Sequence, residues 1–372
     1  MLLSRRLLLG FAGAALTAQA ARAAAAAICG AALPLTGVAA LAGDEVLRGI
    51  MLAADAVNAA GGVAGTQLQL LTTDMPDPAS VTQAVNGLLN RGHASLVLGS
   101  GSSALSYPAS AAAELAQIPF IELTASADGI CSRGFKYLLR TGPSTQMGAQ
   151  LAVQTLQARF AGRTLGVLYN TGASGTAFAA AMGAALDAAK LPVALSIGYP
   201  EYVEDLHDEV GRLKRAKVDV LLHAAEADDA LGLALAASAN GWKPGALIGY
   251  GAGYSYRETP AVVSGAISGT YVIAAPFYSQ ATAGIRDAYL ARYGNPPRSA
   301  DSLTAYVGAK LVFDTLNAVN GDASKLLAGL RRADLPKGSL ANGFGVKFDR
   351  NGQNTGSYLA LQQWRGAELE PV

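Results

Sequence analysis

The sequence predicts an α/β protein made of two doubly wound parallel-sheet lobes joined by a multi-strand hinge, and three observations predict it. Short apolar runs alternate with alanine-rich amphipathic stretches from Ile28 onward, as buried parallel strands alternate with covering helices. The alternation restarts after Arg140 with a fresh apolar strand at Leu165, which gives a second sheet rather than one long one. The tail then abandons the pattern, as expected of a chain that crosses back between lobes.

In order, the first series places strands at Ile28–Leu33, Leu68–Thr72, Ser95–Leu98, Pro119–Leu123 and Tyr137–Arg140. The second places them at Leu165–Tyr169, Pro192–Ile197, Val218–His223, Ala246–Tyr250 and Gly269–Ala274. Helical periodicity fills Asp44–Ala60, Ala79–Arg91, Thr145–Ala158, Thr176–Ala189 and Asp228–Asn240, and Gly61-Gly62 is a C-terminal stop for the first of these. A long helix is expected over Asp301–Val319. After it, Gly343–Asp349 and Ser357–Gln362 read as a hairpin about the turn Arg350-Asn351-Gly352. The domain division that follows is 24–144 with 275–346 for the first lobe and 145–274 with 347–372 for the second.

Residues 1–23 have a different logic. A basic pair, Arg5-Arg6, precedes an apolar run from Leu7 to Leu16 and the small-residue ending Ala21-Arg22-Ala23. That is signal-peptide order, with a twin-arginine variant open, and the run is shorter than the roughly 20 residues a spanning helix needs. Cleavage near Ala23 removes three of the 28 basic residues, leaving 25 against 27 acidic ones. A near-neutral exported chain has no surplus to neutralise phosphates, so nucleic acid is excluded as a partner. Cys29 and Cys131 fit no zinc site and are expected to stay unpaired. No metal and no cofactor are expected.

In open parallel sheets, ligands bind beyond the carboxyl ends of the strands, where helix N-termini aim backbone N–H groups outward. Here those ends read Pro34-Leu35-Thr36-Gly37, Gly99-Ser100-Gly101-Ser102-Ser103 and Glu122-Leu123-Thr124-Ala125-Ser126 in the first lobe. In the second they are Asn170–Ser174, His223–Glu226 and Tyr250–Tyr256. Hydroxyls combined with free backbone donors in the first lobe suit a carboxylate or another small anion. Ser102 and Ser103 also fit helix capping, which is compatible with ligand contact.

These segments resemble those of the branched-chain amino-acid-binding proteins. The resemblance rests on Leu33–Gly37, Asn58–Gly65, Gly99–Ser103 with Pro108-Ala109-Ser110, Pro119–Ser126, Gly134–Tyr137 and Phe348–Gly352, and it covers residues 28–372 in order. It implies a type I periplasmic binding protein, a monomer whose two lobes close on a small solute and deliver it to the membrane permease of an ABC importer. By position it implies that Ser103 binds a ligand carboxylate and that Ala125 and Ser126 hold the rest of an amino acid, with Ser102 and Thr124 beside them. Thr145 stands for a common aspartate, Ala42 and Ser174 for frequent stacking tyrosines, and Glu226 for another aromatic position. Gly251 stands where the family puts a glutamate against the ligand ammonium, with Tyr250, Tyr254 and Tyr256 nearby. Either Glu226 replaces that carboxylate or the ligand carries no ammonium, because an unpaired buried ion is costly.

Catalytic equipment is thin. His93 and His207 read as solvated surface, and His223 alone is expected near the cleft, where a hydrolase with Ser174 is conceivable. No Gly-x-Ser-x-Gly elbow or His-Glu-x-x-His is present, and Gly249–Gly253 lacks dinucleotide spacing. The expectation is a binding protein, not an enzyme. The alternative is a ligand-sensing or envelope-regulatory protein without a transported solute.

Overall fold

The computed structural model describes residues 27–372 apart from 202, 204, 227, 264–268 and 367, so the expected signal segment lies outside the described residues. The first sheet holds β1 (Ile28–Leu33), β2 (Gln69–Asp74), β3 (Leu96–Gly99), β4 (Phe120–Glu122) and β5 (Leu138–Arg140). Its helices are α1 (Ala40–Ala59), α2 (Val81–Asn90) and α3 (Ser103–Leu115). The second unit begins with α4 (Thr145–Arg159) and continues with β6 (Leu165–Asn170), α5 (Ala173–Ala188), β7 (Val193–Tyr199), α6 (His207–Arg215) and β8 (Val220–Ala224). Then come α7 (Asp229–Ala239), β9 (Ala246–Tyr250), the short α8 (Ala252–Ser255) and α9 (Thr259–Val263), and β10 (Tyr271–Ala274). The chain returns through α10 (Ala283–Tyr293), α11 (Asp301–Ala318), α12 (Leu326–Arg332), β11 (Asp334–Leu335) and β12 (Val346–Lys347), and ends in β13 (Ala360–Arg365) and β14 (Glu368–Pro371).

Both sheets are wound alike. The first has strand order β2-β1-β3-β4-β5, all parallel. The second repeats that order as β7-β6-β8-β9-β10 and extends it with antiparallel β13 and β14. Burial explains the strands: every residue of β3, β4, β5, β8 and β9 is buried, so continuous apolar runs are what a doubly covered sheet requires. On one face of the first sheet, Val46, Ile50 and Val57 of α1 meet Ala305, Ala309 and Val312 of α11; on the other, Val85 and Leu88 of α2 join Leu105 and Ala109 of α3. Gly61 and Gly62, at φ 105° and 81°, turn the chain out of α1, the Gly62 N–H donating back to the Val57 carbonyl at 2.9 Å.

Three chain segments cross between the sheets: 141–144, 275–282 and 348–359. Arg140, 1% exposed, ties two of them together, donating to Gln353 Oε1 and to the carbonyls of Ala125 (3.2 Å) and Ala127 (2.8 Å). Gln353 Nε2 donates to Gly142 O at 2.9 Å, and Asn354 Nδ2 to Thr141 O at 3.1 Å.

The tail corrects one expectation. The chain does fold back about 350–352, with Asp349 N donating to Gln353 O (2.9 Å), Thr355 N to Lys347 O (2.8 Å) and Gly345 N to Gly356 O (3.0 Å), but the second arm is 353–356 and not Ser357–Gln362. Val346–Lys347 also pairs with Asp334–Leu335, and Ala360–Arg365 joins the second sheet along the edge of β10 and turns back into β14. The Arg350-Asn351-Gly352 turn exists, closed by Gly352 N to Asp349 O at 3.1 Å, but it serves the hinge: Gly352 O accepts from Arg140 N at 2.8 Å. An open strand edge offered a longer ladder than the local partner did.

Candidate functional site

The loops after the strands face each other between the sheets, and the first lobe's wall is organised by a residue the sequence reading passed over. Glu122 ends β4 fully buried. Its Oε1 accepts from the backbone N–H groups of Ser100 (2.8 Å), Leu123 (3.0 Å), Thr124 (3.1 Å) and Ala125 (2.9 Å). Its Oε2 accepts from the hydroxyls of Ser100 (2.8 Å) and Ser106 (2.6 Å). A buried carboxylate is tolerable only when hydrogen-bonded in this way. It lies opposite Arg140 in the β4–β5 register. The signal available in the sequence was an acid inside the apolar run Phe120-Ile121-Glu122-Leu123.

This arrangement narrows the expectation of free backbone donors in that wall: those of Ser100, Thr124 and Ala125 are engaged by Glu122, while those of Ser102–Leu105 at the start of α3 have no acceptor among the described residues. The Ala125 carbonyl, expected to hold a ligand, accepts from Arg140. Hydroxyls stand beside those helix N–H groups. Ser102 caps α3 in extended conformation without a side-chain capping bond, and Ser103 Oγ accepts from Ala127 N at 3.3 Å. Thr124 Oγ1 is buried and has no partner among the described residues.

Ser126, Thr145 and Tyr250 come together. The Tyr250 hydroxyl donates across the cleft to Ser126 Oγ at 2.9 Å, and Thr145 N donates to Ser126 O at 2.9 Å. Thr145 Oγ1 donates to Asp128, whose other oxygen accepts from Gln146 N at 3.3 Å, so Asp128 supplies a carboxylate at the start of α4. Tyr250 stacks on Phe178 with centroids 4.3 Å apart, and burial raises its pKa. Ser174 sits on the first turn of α5, and no hydrogen bond joins it to the others.

On the second lobe's wall, Gly251 adopts φ 98°, and a β-carbon there would stand 2.4 Å from the Ala225 carbonyl. A glutamate at 251 is therefore incompatible with this backbone. Glu226 lies beside it, its N–H donating to Asp229 Oδ2 at 2.7 Å. Glu226 is exposed, and its carboxylate makes no hydrogen bond or ion pair among the described residues. Desolvation, then the charges of Asp229, Glu201 and Asp301, push it up to about 7. Asp301, at the start of α11 on the opposite lobe, is pushed up to about 6, chiefly by desolvation. The sequence reading did not single out Asp301.

His223 does not face the cleft, contrary to expectation. It is fully buried, with Nε2 2.8 Å from the Tyr199 hydroxyl and Nδ1 2.6 Å from that of Tyr254. Burial lowers its pKa to about 3, which leaves a neutral packing group rather than a base for Ser174. Tyr254 and Tyr256 are buried too, so they pack the lobe. Among the described residues no cluster of His, Cys, Asp or Glu could hold a metal ion, and Cys29 and Cys131 are both free and buried. A groove of about 1120 Å³ runs between α4 and α5, where facing alanines such as Ala177, Ala181 and Ala185 are too short to fill the space; Asp128 and Gln146 line it, but none of the expected site residues does. No helix among the described residues is long and apolar enough to cross a membrane.

The comparisons with known proteins agree with this architecture. A periplasmic binding protein family model matches residues 29–368. The Leu/Ile/Val-binding protein homolog 8 of Brucella suis biovar 1 (strain 1330) is 36% identical, over 100% of this chain and 96% of its own. Among solved structures, the branched-chain amino acid transporter substrate-binding protein of Streptococcus pneumoniae, in complex with isoleucine, superposes with TM-score 0.80 at 20% identity, covering 94% of this chain and 99% of that one. An ABC transporter solute-binding protein of R. palustris in complex with benzoate gives 0.79 at 19%, covering 94% and 96%. With a family model spanning both lobes and a relative matched along its whole length, the chain belongs to the periplasmic binding proteins and is a solute-binding protein of the type I fold.

Proposed function

We propose that this protein, exported by the segment 1–23 and cleaved near Ala23, captures a small amine-bearing organic acid between its lobes in the periplasm. It hands that solute to the permease of an ABC importer. The moving bodies are 24–144 with 275–346 and 145–274 with 347–372. The contacts fall to Ser102, Ser103, Thr124, Ala125 and Ser126 on one side and to Thr145, Ser174, Glu226, Tyr250 and Gly251 on the other.

The observation that carries the reading is the unpaired Glu226 carboxylate. It stands among other acids, where an anion is repelled and an ammonium is attracted. Engagement of the Ser100, Thr124 and Ala125 N–H groups by Glu122 takes these three donors out of any anionic grip there. The names of the relatives leave both chemistries in play, one neighbour holding isoleucine and another benzoate.

The pH dependence has a definite sign. With the empty-site pKa raised to about 7, Glu226 gains a proton readily, and its contribution to the stability of the empty protein is lost as pH rises through about 7. A bound ammonium favours the ionised form, so affinity for L-leucine or L-isoleucine rises between pH 5.5 and 8 with proton release. Glu226→Gln flattens that profile. Calorimetry at several pH values, beside a thermal-shift screen with L-leucine, L-isoleucine and benzoate, tests it; stabilisation by benzoate without response to either amino acid rejects the amine.

A further inference from the structure

We propose that Glu122 is a positioning residue that sets the shape of the first lobe's entire ligand wall. The claim rests on the reading that this wall faces the solute, and it goes beyond that reading by naming the group that preorganises it.

Three separate pieces of chain converge on one carboxylate. Ser100 belongs to the loop after β3, Ser106 to the first turns of α3, and Leu123, Thr124 and Ala125 to the loop after β4. Ser100 is bonded twice, through its N–H and its hydroxyl, both at 2.8 Å, and its hydroxyl also reaches Ser102 O at 2.8 Å. Glu122 therefore fixes the approach of the chain to Ser102 and Ser103 and the start of the Thr124–Ser126 loop at once. Arg140 completes the hold from the other side, because it donates to the carbonyls of Ala125 and Ala127. The loop's N–H groups go to the anion and its carbonyls to the cation on the neighbouring strand. Such a loop has little freedom to adapt, which lowers the ordering cost of binding.

The two carboxylate oxygens divide the work, and this gives a discriminating variant. Oε1 takes the four N–H groups, and Oε2 takes only hydroxyls, which can turn round and accept instead. Glu122→Gln can therefore keep its oxygen on the backbone and offer its amide to Ser100 and Ser106. Glu122→Ala leaves the N–H groups of Ser100, Thr124 and Ala125 without that acceptor, while Leu123 N keeps the Gly99 carbonyl at 2.8 Å.

The test uses the mature protein. Amide exchange without ligand is expected to rise in Glu122→Ala at residues 100, 124 and 125, while Leu123, still bonded to Gly99 O, and the strands of the second sheet keep their protection. L-leucine affinity is expected to fall about 100-fold, the order of loss that an ångström-scale misplacement brings. Glu122→Gln is expected to restore both to within about fivefold, since most of the same bonds survive. Should Glu122→Ala not fold, Ser106→Ala, which removes one bond to Oε2, is expected to raise exchange in the same loops by a smaller factor. Unchanged exchange and affinity overturn the proposal, as does protection lost evenly across β1–β4 with no rescue by glutamine. A wild-type protein that ignores L-leucine rejects the amino-acid reading instead, and the exchange arm then still decides the role of Glu122.

Discussion

The two walls of the cleft handle their carboxylates in opposite ways. In the first lobe, Glu122 is fully buried and accepts six hydrogen bonds from protein groups. In the second, Glu226 reaches solvent and has no partner among the described residues. A saturated charge is a structural part, because its field is answered from within. An unanswered one in a concavity is available to something else. On the proposed function, the same residue type builds one jaw and equips the other, with rigidity falling to the first lobe and selectivity to the second.

The sharpest way to break this contrast is at the hinge, where the first lobe's order is secured. Arg140→Met leaves the carbonyls of Ala125 and Ala127 and the Gln353 amide oxygen without a buried donor, and about 3 kcal/mol of stability is expected to be lost in urea unfolding. A loss within error would show that the first lobe's wall holds itself. Next comes the second lobe's own buried polar chain, Tyr199–His223–Tyr254. His223→Phe orphans the Tyr254 hydroxyl and leaves that of Tyr199 with the Ala224 carbonyl at 3.3 Å, with about 2 kcal/mol expected to be lost. The pH sign follows from burial. Folded His223 stays neutral to about pH 3, against an ordinary value of 6.5, so its contribution is full above about 6.5 and is lost as pH falls toward 3. The variant should show a shallower acid slope; an identical slope would place the titrating group elsewhere. The smallest effect belongs to the one hydroxyl pair bridging the site itself. Tyr250→Phe removes the bond to Ser126 at 2.9 Å and is expected to shift the lobes apart by about 1 kcal/mol, visible as a larger radius of gyration in solution scattering.

Much of the fold was legible because burial on both faces of a parallel sheet forces runs such as Leu96–Gly99 and Val220–Ala224, and runs of that kind are visible in one dimension. The tail was misread because Arg350-Asn351-Gly352 carries a sound local turn signal, while the partner of Ala360–Arg365 was the distant edge of β10. The site divides similarly. Strand ends located the loops of Ser102, Ser126, Glu226 and Tyr250, but nothing local revealed that Ala125 spends its backbone on Glu122 and Arg140, or that His223 turns inward between two tyrosines.

The sequence by itself determined two wound lobes, the order of their strands along the chain and the loops that meet between them, since periodicity and strand ends are properties of neighbours in the chain. Tertiary structure alone decided which carboxylate is satisfied and which is left open. Glu122 and Glu226 are chemically the same, and the difference lies in whether six donors from three chain segments arrive at one point in space.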